Sequence, residues 1–559
     1  MGRYTPVVAF VCAALTTACH ESRVSNGTGS DTVEELNAVF ESEQVYSVRR
    51  LAVDDIAEFL YKHPEFRTDS LDIMAFYHRR DMQYAWFVND SLSQSASGFL
   101  ALFSSADTAF REVAYLRDRL SDLISGSQQT QGSEAKCDSC RLQLELNLTA
   151  QFFHSAAKKY SGLASTDPRD LDWFIPRRKK DYARLLDSLV AGSIDLSPLE
   201  PLHPQYARLK AHLERYHQLA QDTAWSTLSL GELRKLEPGN VHPILPEIRR
   251  RLQLLGDLDS IPTSPSTAER FDTTLVAAVK RFQTRHGLHP DAVIGQGFLN
   301  AINTTPQQRL RTLLVNMERL RWVPEVVARD LLLVNIPEFR LHVFEGGSEV
   351  LSMDVVVGAT ATRTVIFSDT LSTVVFSPTW TVPMSIVRNE ILPAMAKDPN
   401  YLRKKGMEKI GGSAKNPIIR QKPGASNALG RVKFLFPNSY SIYLHDTPSK
   451  SFFAREQRAF SHGCIRVSQP RELTEYLLRN DTMWTKAKIH KAMYDGKETF
   501  VKLKEKRPVT IGYFTAWVDQ AGRLNFRDDY YGLDLRLGNE LFTPEVKEPA
   551  LSAVTVPGQ

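Results

Sequence analysis

From residue 33 to residue 236 the apolar positions recur at helical spacing. Tyr206, Leu209, Leu213, Tyr216 and Ala220 fall three or four residues apart, which lines one face of a 3.6-residue period. Leu60, Phe76, Tyr77 and Trp86 sit in segments of the same character. The stretch 33–236 therefore reads as a mostly helical scaffold whose aromatic residues are core. A compact helical module follows at 242–303. Pro246 stands in a first turn ahead of Ile248, Leu252 and Leu255, with Gly256 as a stop; a second helix carries Leu275, Val276, Val279 and Phe282 and ends at Gly287. Leu288 can then fold back on Phe282. Beyond Asp330 the period falls to two. Residues 331–334, 340–344 and 350–357 read as strands, the last two joined through Glu345-Gly346-Gly347, a hairpin signal. Residues 432–436 and 441–445 return to strand, 473–478 is helical, and 509–518 with a turn at 519–523 reads as a closing hairpin. The expected fold is multidomain α+β, with a β-rich, sandwich-like domain at 330–543 and a disordered tail at 544–559.

Composition narrows the class. The chain has 559 residues, 42% hydrophobic and 24% charged, an ordinary globular balance that excludes a fibrous or disordered protein and leaves room for several domains. Sixty-nine Lys and Arg against 64 Asp and Glu give a net charge of +5. With no dense Lys/Arg block, nucleic acid is not an expected partner, and the weak basic excess is only a bias toward acidic polymers. At the N-terminus Arg3 precedes a mostly apolar run at 7–15, then Thr16-Thr17-Ala18-Cys19. That run is too short to span a bilayer and suits a signal peptide at 1–18. Small residues before Cys19 resemble a bacterial lipobox, which implies lipidation at Cys19, a polar tether at 19–32 and a membrane-anchored lipoprotein of the periplasm. Simple cleavage is the alternative.

Five cysteines are present. Cys12 leaves with the signal and Cys19 is the lipidation candidate, so Cys137, Cys140 and Cys464 remain. Cys137-Asp138-Ser139-Cys140 has three readings: a redox pair, half of a zinc site, or a local disulfide, the last favoured in an oxidising compartment. Cys464 is the odd thiol. It lies in Ser461-His462-Gly463-Cys464-Ile465-Arg466, and His445 precedes Ser461 by fifteen intervening residues. A thiol of pKa near 8.5 is only a few per cent ionised at neutral pH, so an imidazole that takes its proton raises the reactive fraction. Gly463 can adopt a positive φ and turn backbone N–H groups toward one point, as an oxyanion requires. His445 ends an alternating run in which Ile442 and Leu444 face a core and Tyr443 and His445 face away. His462 is tethered too closely to the cysteine to be the better base. A zinc site of His445, His462 and Cys464 lacks a fourth ligand, so no metal is expected.

The string His445-x15-Ser461-His462-Gly463-Cys464-Ile465-Arg466 resembles the signature of the YkuD-type L,D-transpeptidases. Thr362-Arg363-Thr364, Phe376 to Pro383 with Trp380, Asp398-Pro399-Asn400-Tyr401 and Asn427 to Phe434 are similar to the multidomain YcbB-like branch. That branch inserts a capping subdomain into the catalytic domain, which here falls at about 382–430. Phe76-Tyr77-x-x-Arg80 with Ala85-Trp86 is similar to its helical scaffold. Ala278 to Gln283 with Gly287-Leu288 and Ile294-Gly295 resembles the small three-helix peptidoglycan-binding domain; a generic helical hairpin is the bland alternative.

The resemblance implies an enzyme in which Cys464 attacks the stem-peptide carbonyl and His445 is the base. It also implies that Gly463 shapes the oxyanion site and that the Asp446 carbonyl orients His445. Arg466, Ser461, His462, Tyr443 and Trp380 are then substrate-binding candidates, Arg466 being equally readable as a structural ion pair. The expected partners are a tetrapeptide donor and an amine acceptor, with release of D-Ala, a 3→3 cross-link and no cofactor. A carboxypeptidase or another acceptor uses the same acyl-enzyme. A non-catalytic wall-binding scaffold is the reading of a different class.

Overall fold

The computed structural model describes residues 49–542 apart from 89–90, 97–98, 100–133, 163–166, 176–180, 193–202, 222–223 and 324–327. The expected signal peptide, Cys19, the tether and the tail lie outside the described residues. No helix among those described is long and apolar enough to cross a membrane.

The chain divides into two compact units, Met1–Ala150 with Leu185–Ile194, and the remainder. In the first, α1 (Val53–Lys62) buries Ile56 and Phe59, and α2 (Ser70–Arg79) buries Ile73, Phe76 and Tyr77. A long helix, α3 (Glu134–Ser161), supplies Glu145. The Glu145 carboxylate accepts from the Tyr77 hydroxyl (2.9 Å) and the amides of Ala85 (2.6 Å) and Trp86 (3.0 Å). Burial still pushes its pKa up to about 7. Cys137 and Cys140 fall at the start of α3, and their side chains are outside the described set. Helix α4 (Tyr182–Val190) returns the chain to this unit at Leu185.

In the second unit α5 (Pro204–Leu219) precedes the module. The module consists of α6 (Leu245–Leu255), closed by Gly256 at φ 82°, then α7 (Thr273–Arg285) and α8 (Gln296–Asn303). Asp272 caps α7 by accepting from the Leu275 amide at 2.9 Å. Leu245, Ile248, Leu252, Leu275, Val279 and Phe282 form the core, Leu288 packs against it, and Leu230 and Leu236 join it from upstream. The segment around 224–244 carries no helix, so the helical reading extended too far there. Helix α9 (Pro306–Trp322) was not anticipated, although Thr305 and Gln308 make a capping box at its start.

The β-rich region is one sheet rather than two packed ones. Its strands are β1 (Leu331–Asn335), β2 (Arg340–Glu345), β3 (Ser348–Gly358) and β4 (Phe367–Phe376), followed beyond the insert by five more. The inserted segment has its own sheet of β5 (Trp380–Thr381), β6 (Met407–Gly412) and β7 (Pro417–Gln421). It also has its own core of Val382, Ile386, Val387, Ile391 and Ile419. The main sheet resumes with β8 (Val432–Leu435), β9 (Leu444–His445), β10 (Ala459–Ser461), β11 (Ile465–Val467) and β12 (Thr499–Gly512). Its order is β10-β3-β11-β9-β8-β4-β12-β1-β2, and because β3 also pairs with β2 the sheet closes on itself. The expected hairpin at 509–518 is therefore corrected. β12 runs between β4 and β1, and the hairpin is a separate pair, β13 (Ala516–Val518) with β14 (Leu524–Phe526). Helices α10 (Pro470–Leu477), α11 (Lys486–Tyr494) and α12 (Leu533–Phe542) supply buried residues to the same core.

Candidate active site

Two short parallel strands create the site. β9 and β11 pair with Leu444 opposite Ile465 and His445 opposite Arg466. Leu444 and Ile465 are both fully buried in the sheet's core. Side chains alternate faces along a strand, so Tyr443, His445, Cys464 and Arg466 share the opposite face as a two-by-two patch, with His445 diagonal to Cys464.

His445 is buried, and its Nδ1 lies 2.5 Å from the Asp446 carbonyl oxygen. A carbonyl only accepts, so Nδ1 carries the proton and Nε2 keeps the lone pair. Burial pushes its pKa down to about 4, against the pull of that carbonyl. The imidazole is thus a neutral base across the ordinary pH range. The Asp446 carboxylate faces elsewhere and accepts from the Arg431 amide (2.8 Å), the Thr447 amide (2.7 Å) and Lys450 Nζ (2.7 Å). Gly430, at φ 63°, makes room for it, because an added Cβ would lie 2.3 Å from Asp446 Oδ2.

Burial pushes the Cys464 thiol up, while hydrogen bonding from Tyr443 and the charge of Arg466 oppose the shift. The resting residue is a thiol, donating to the Ser441 carbonyl at 3.6 Å. Proton transfer to His445 therefore needs the thiol to turn from that carbonyl to the imidazole; resting sites are often looser than reacting ones. Ser441 holds a left-handed conformation, φ 58°, and was not singled out by the sequence.

Tyr443 is half-buried; burial and the neighbouring Cys464 raise its pKa, and the nearby Trp380 side chain opposes the shift. Trp380 opens the inserted segment at β5, which brings that segment beside Tyr443. Arg466 has no carboxylate partner among the described residues. Its Nε is buried without a hydrogen bond and its Cζ lies 5.6 Å from the Phe452 ring. The structural ion pair is thereby removed as a reading of Arg466.

Two expectations change. Gly463 does take a positive φ, 110°, but its N–H donates to Ser461 Oγ at 3.2 Å and is not free for an oxyanion. Ser461 is buried, and its Oγ also donates to the Cys464 carbonyl at 2.5 Å. It clamps the loop rather than meeting substrate. The loop is braced from behind: Thr362 Oγ1 donates to the Ser461 carbonyl (2.8 Å), and Thr364 Oγ1 to that of Gly463 (2.8 Å). Thr364 Oγ1 also accepts from the Gly358 amide (2.8 Å), whose carbonyl receives the Tyr531 hydroxyl (2.6 Å). His462 points away from the sulfur, with Nε2 3.0 Å from Glu390 Oε1 on the inserted segment. Among the described residues no group of three or more His, Cys, Asp or Glu is placed to hold a metal.

Residues 329–511 match the family model described as L,D-transpeptidase catalytic domain, YkuD. The catalytic domain is that of a YkuD L,D-transpeptidase. Ahead of this L,D-transpeptidase domain, residues 72–213 match a scaffold domain and 242–302 a "Putative peptidoglycan binding domain". A curated protein of Haemophilus influenzae, "Putative L,D-transpeptidase", is 33% identical over 241 residues, covering 40% of this chain and 48% of that protein. The chain thus spans about half the length of the curated relative it matches. Among solved structures, the L,D-transpeptidase from Mycobacterium smegmatis is 15% identical (33% of this chain, 59% of that one, TM-score 0.19). The L,D-transpeptidase from Stackebrandtia nassauensis is 14% identical (50% and 95%, TM-score 0.21). Likeness at this level adds nothing to the assignment.

Proposed function

We propose that this L,D-transpeptidase forms 3→3 cross-links between peptidoglycan stem peptides through an acyl-enzyme on Cys464. The observation that carries the reading is the shared face of β9 and β11, which sets a neutral His445 with a free Nε2 diagonal to a thiol. His445 Nε2 takes the thiol proton as sulfur bonds the carbonyl carbon of the third stem residue. The Cys464 amide and the Tyr443 hydroxyl stabilise the oxyanion. Collapse expels the terminal D-Ala, whose amine receives the proton from His445, and leaves a thioester. An amine of a second stem attacks that thioester, His445 again takes a proton, and the thiol is restored. Arg466, a half-buried cation without an acid among the described residues, serves a stem carboxylate.

Incubating the full chain with disaccharide-tetrapeptide and weighing the products tests this. A dimer of two units less one D-Ala supports it. Tripeptide alone makes the enzyme a carboxypeptidase, and no reaction leaves a wall-binding scaffold. The apolar run ending at Ala18-Cys19 supports a lipoprotein of the periplasm. Cys19→Ala should move the protein from membrane to soluble fraction or leave the signal uncleaved; unchanged membrane association with normal cleavage contradicts lipidation.

A further inference from the structure

Between the helical module and the closed sheet lies a cavity of about 1630 Å³ that neither His445 nor Cys464 lines. The module supplies one wall, including His289, Pro290 and Asn300, and the strands β1 and β2 supply the other, including His342 and Phe344. Trp517 of β13 and Tyr530 also line it. Polar ties fix the two walls to each other. Arg527 Nη1 donates to the Arg285 carbonyl at 2.9 Å, and the His289 amide donates to Glu456 at 3.1 Å. The cleft is larger than the usual pocket for a compact small molecule, roughly 300–1,000 Å³, and suits a chain-like ligand.

The charges on the strand wall are matched. His342 bridges Glu338 (3.0 Å) and Glu349 (3.2 Å), and Asp354 takes Arg458 (3.0 Å) and Arg340 (3.4 Å). Burial opposes protonation of His342, but its two carboxylates outweigh that and raise it to about 9, so the cluster is paired at neutral pH. Arg208, Arg329 and Arg455 also line the cleft without a carboxylate partner among the described residues, so a ligand that carries scattered carboxylates can be met there. Here the half-buried rings of Phe344, Trp517 and Tyr530 stand among neutralised polar groups and the hydroxyls of Ser368 and Thr510. Aromatic faces for sugar rings, with paired polar groups for hydroxyls and acetamides and arginines for the lactyl carboxylates bared where a stem is absent, are the recognition chemistry of an amino-sugar glycan. The segment 453–458 forms part of the rim and runs directly into β10 and the Cys464 loop.

We propose that this cleft seats a glycan strand of peptidoglycan, so that stems hanging from the strand are delivered over the 453–458 segment to Cys464. The inference rests on peptidoglycan being the substrate. Its test uses no chemistry: binding of the full chain to peptide-free glycan strands, prepared by amidase treatment of sacculi, with a free stem peptide as the other arm. Wild type should bind the glycan. Trp517→Ala should weaken it by at least about threefold, the loss of one stacked ring, and Trp517→Phe should recover most of that. Ser368→Trp, at an exposed position on the cleft wall, should fill the cleft and reduce glycan binding to background with an unchanged melting temperature. This second variant decides the matter if Trp517→Ala does not fold. Glycan binding indifferent to Ser368→Trp, or wild type that binds the stem peptide and not the glycan, overturns the cleft assignment. Because the readout is binding, an enzyme inactive on tetrapeptide that still holds glycan here would sink the proposed reaction and leave the cleft standing.

Discussion

The strand pair that holds His445 and leads to Cys464, and the inserted segment beside it, are built on opposite terms. β9 and β11 sit inside the closed sheet on fully buried Leu444 and Ile465, and the Cys464 loop is clamped by Ser461, Thr362 and Thr364. The insert rests on a small core of its own and carries exposed Ile410 and Ile418. Its charged contacts, Lys404 with Asp398 and Arg420 with Glu408, are on the surface, where such pairs contribute little. The contrast teaches that Cys464 and His445 are held by the sheet, while the inserted segment is held by a core of its own and meets the site through single side chains such as Glu390. Such a division suits a lid.

The largest effect belongs to the fixed part. Cys464→Ser should abolish acylation and cross-linking, since a hydroxyl is far less acidic than a thiol and a base matched to sulfur will not ionise it; product analysis by mass checks this. His445→Ala should slow acylation by roughly a hundredfold to ten-thousandfold. With His445 in place the acid limb of the rate should fall near pH 4; without it the rate should follow an unassisted thiol, near roughly 8.5. The same group affects stability. The unfolded imidazole takes a proton below about 6.5, the folded one only near 4, so stability falls as pH drops between those values. At pH 5 the loss from this one group is roughly 2 kcal/mol, and His445→Ala should lose correspondingly less between pH 7 and 5 in denaturant titrations.

Thr364→Val probes whether the brace is what fixes the loop. It leaves the Gly358 amide and Gly463 carbonyl without their hydroxyl, at about 1–3 kcal/mol for a buried group, and loop misplacement should lower turnover by roughly tenfold to a hundredfold. Turnover at the wild-type level would mean the sheet alone holds the loop. The smallest effect is expected at the lid. His462 and Glu390 are each about half exposed, 51% and 53%, and such a pair contributes at most about 1 kcal/mol. Glu390→Gln should change turnover severalfold at most while raising protease cleavage within 380–421. A loss as large as that of His445→Ala would make the insert part of the fixed machinery and erase the comparison.

The site was legible to the extent that its chemistry is local. His445, Cys464 and the alternation at 442–445 lie in short strings whose residue types suggest the proposed roles. The clamp was not legible, because Thr364 meets Gly463 across 99 residues of chain and Ser461 looks like any exposed motif serine until its Oγ is seen turned inward. The module could be read from Pro246, Gly256 and its apolar steps. β12 could not, since Glu505, Lys506 and Arg507 interrupt its apolar alternation and a register shift falls between Lys502 and Arg507. The closed sheet was likewise hidden, because closure depends on β3 pairing with both β2 and β11, a property of pairing rather than of period.

The central claim is that Cys464 is a thiol made nucleophilic by neutral His445. A carbapenem, whose strained ring carbonyl is an acyl donor, tests it by time-resolved mass measurement on the full chain and on His445→Ala. One adduct per protein, mapped to Cys464 and forming at least about a hundredfold more slowly in the variant, is the predicted result. An adduct on Cys137 or Cys140, or equal rates in the two proteins, would contradict it.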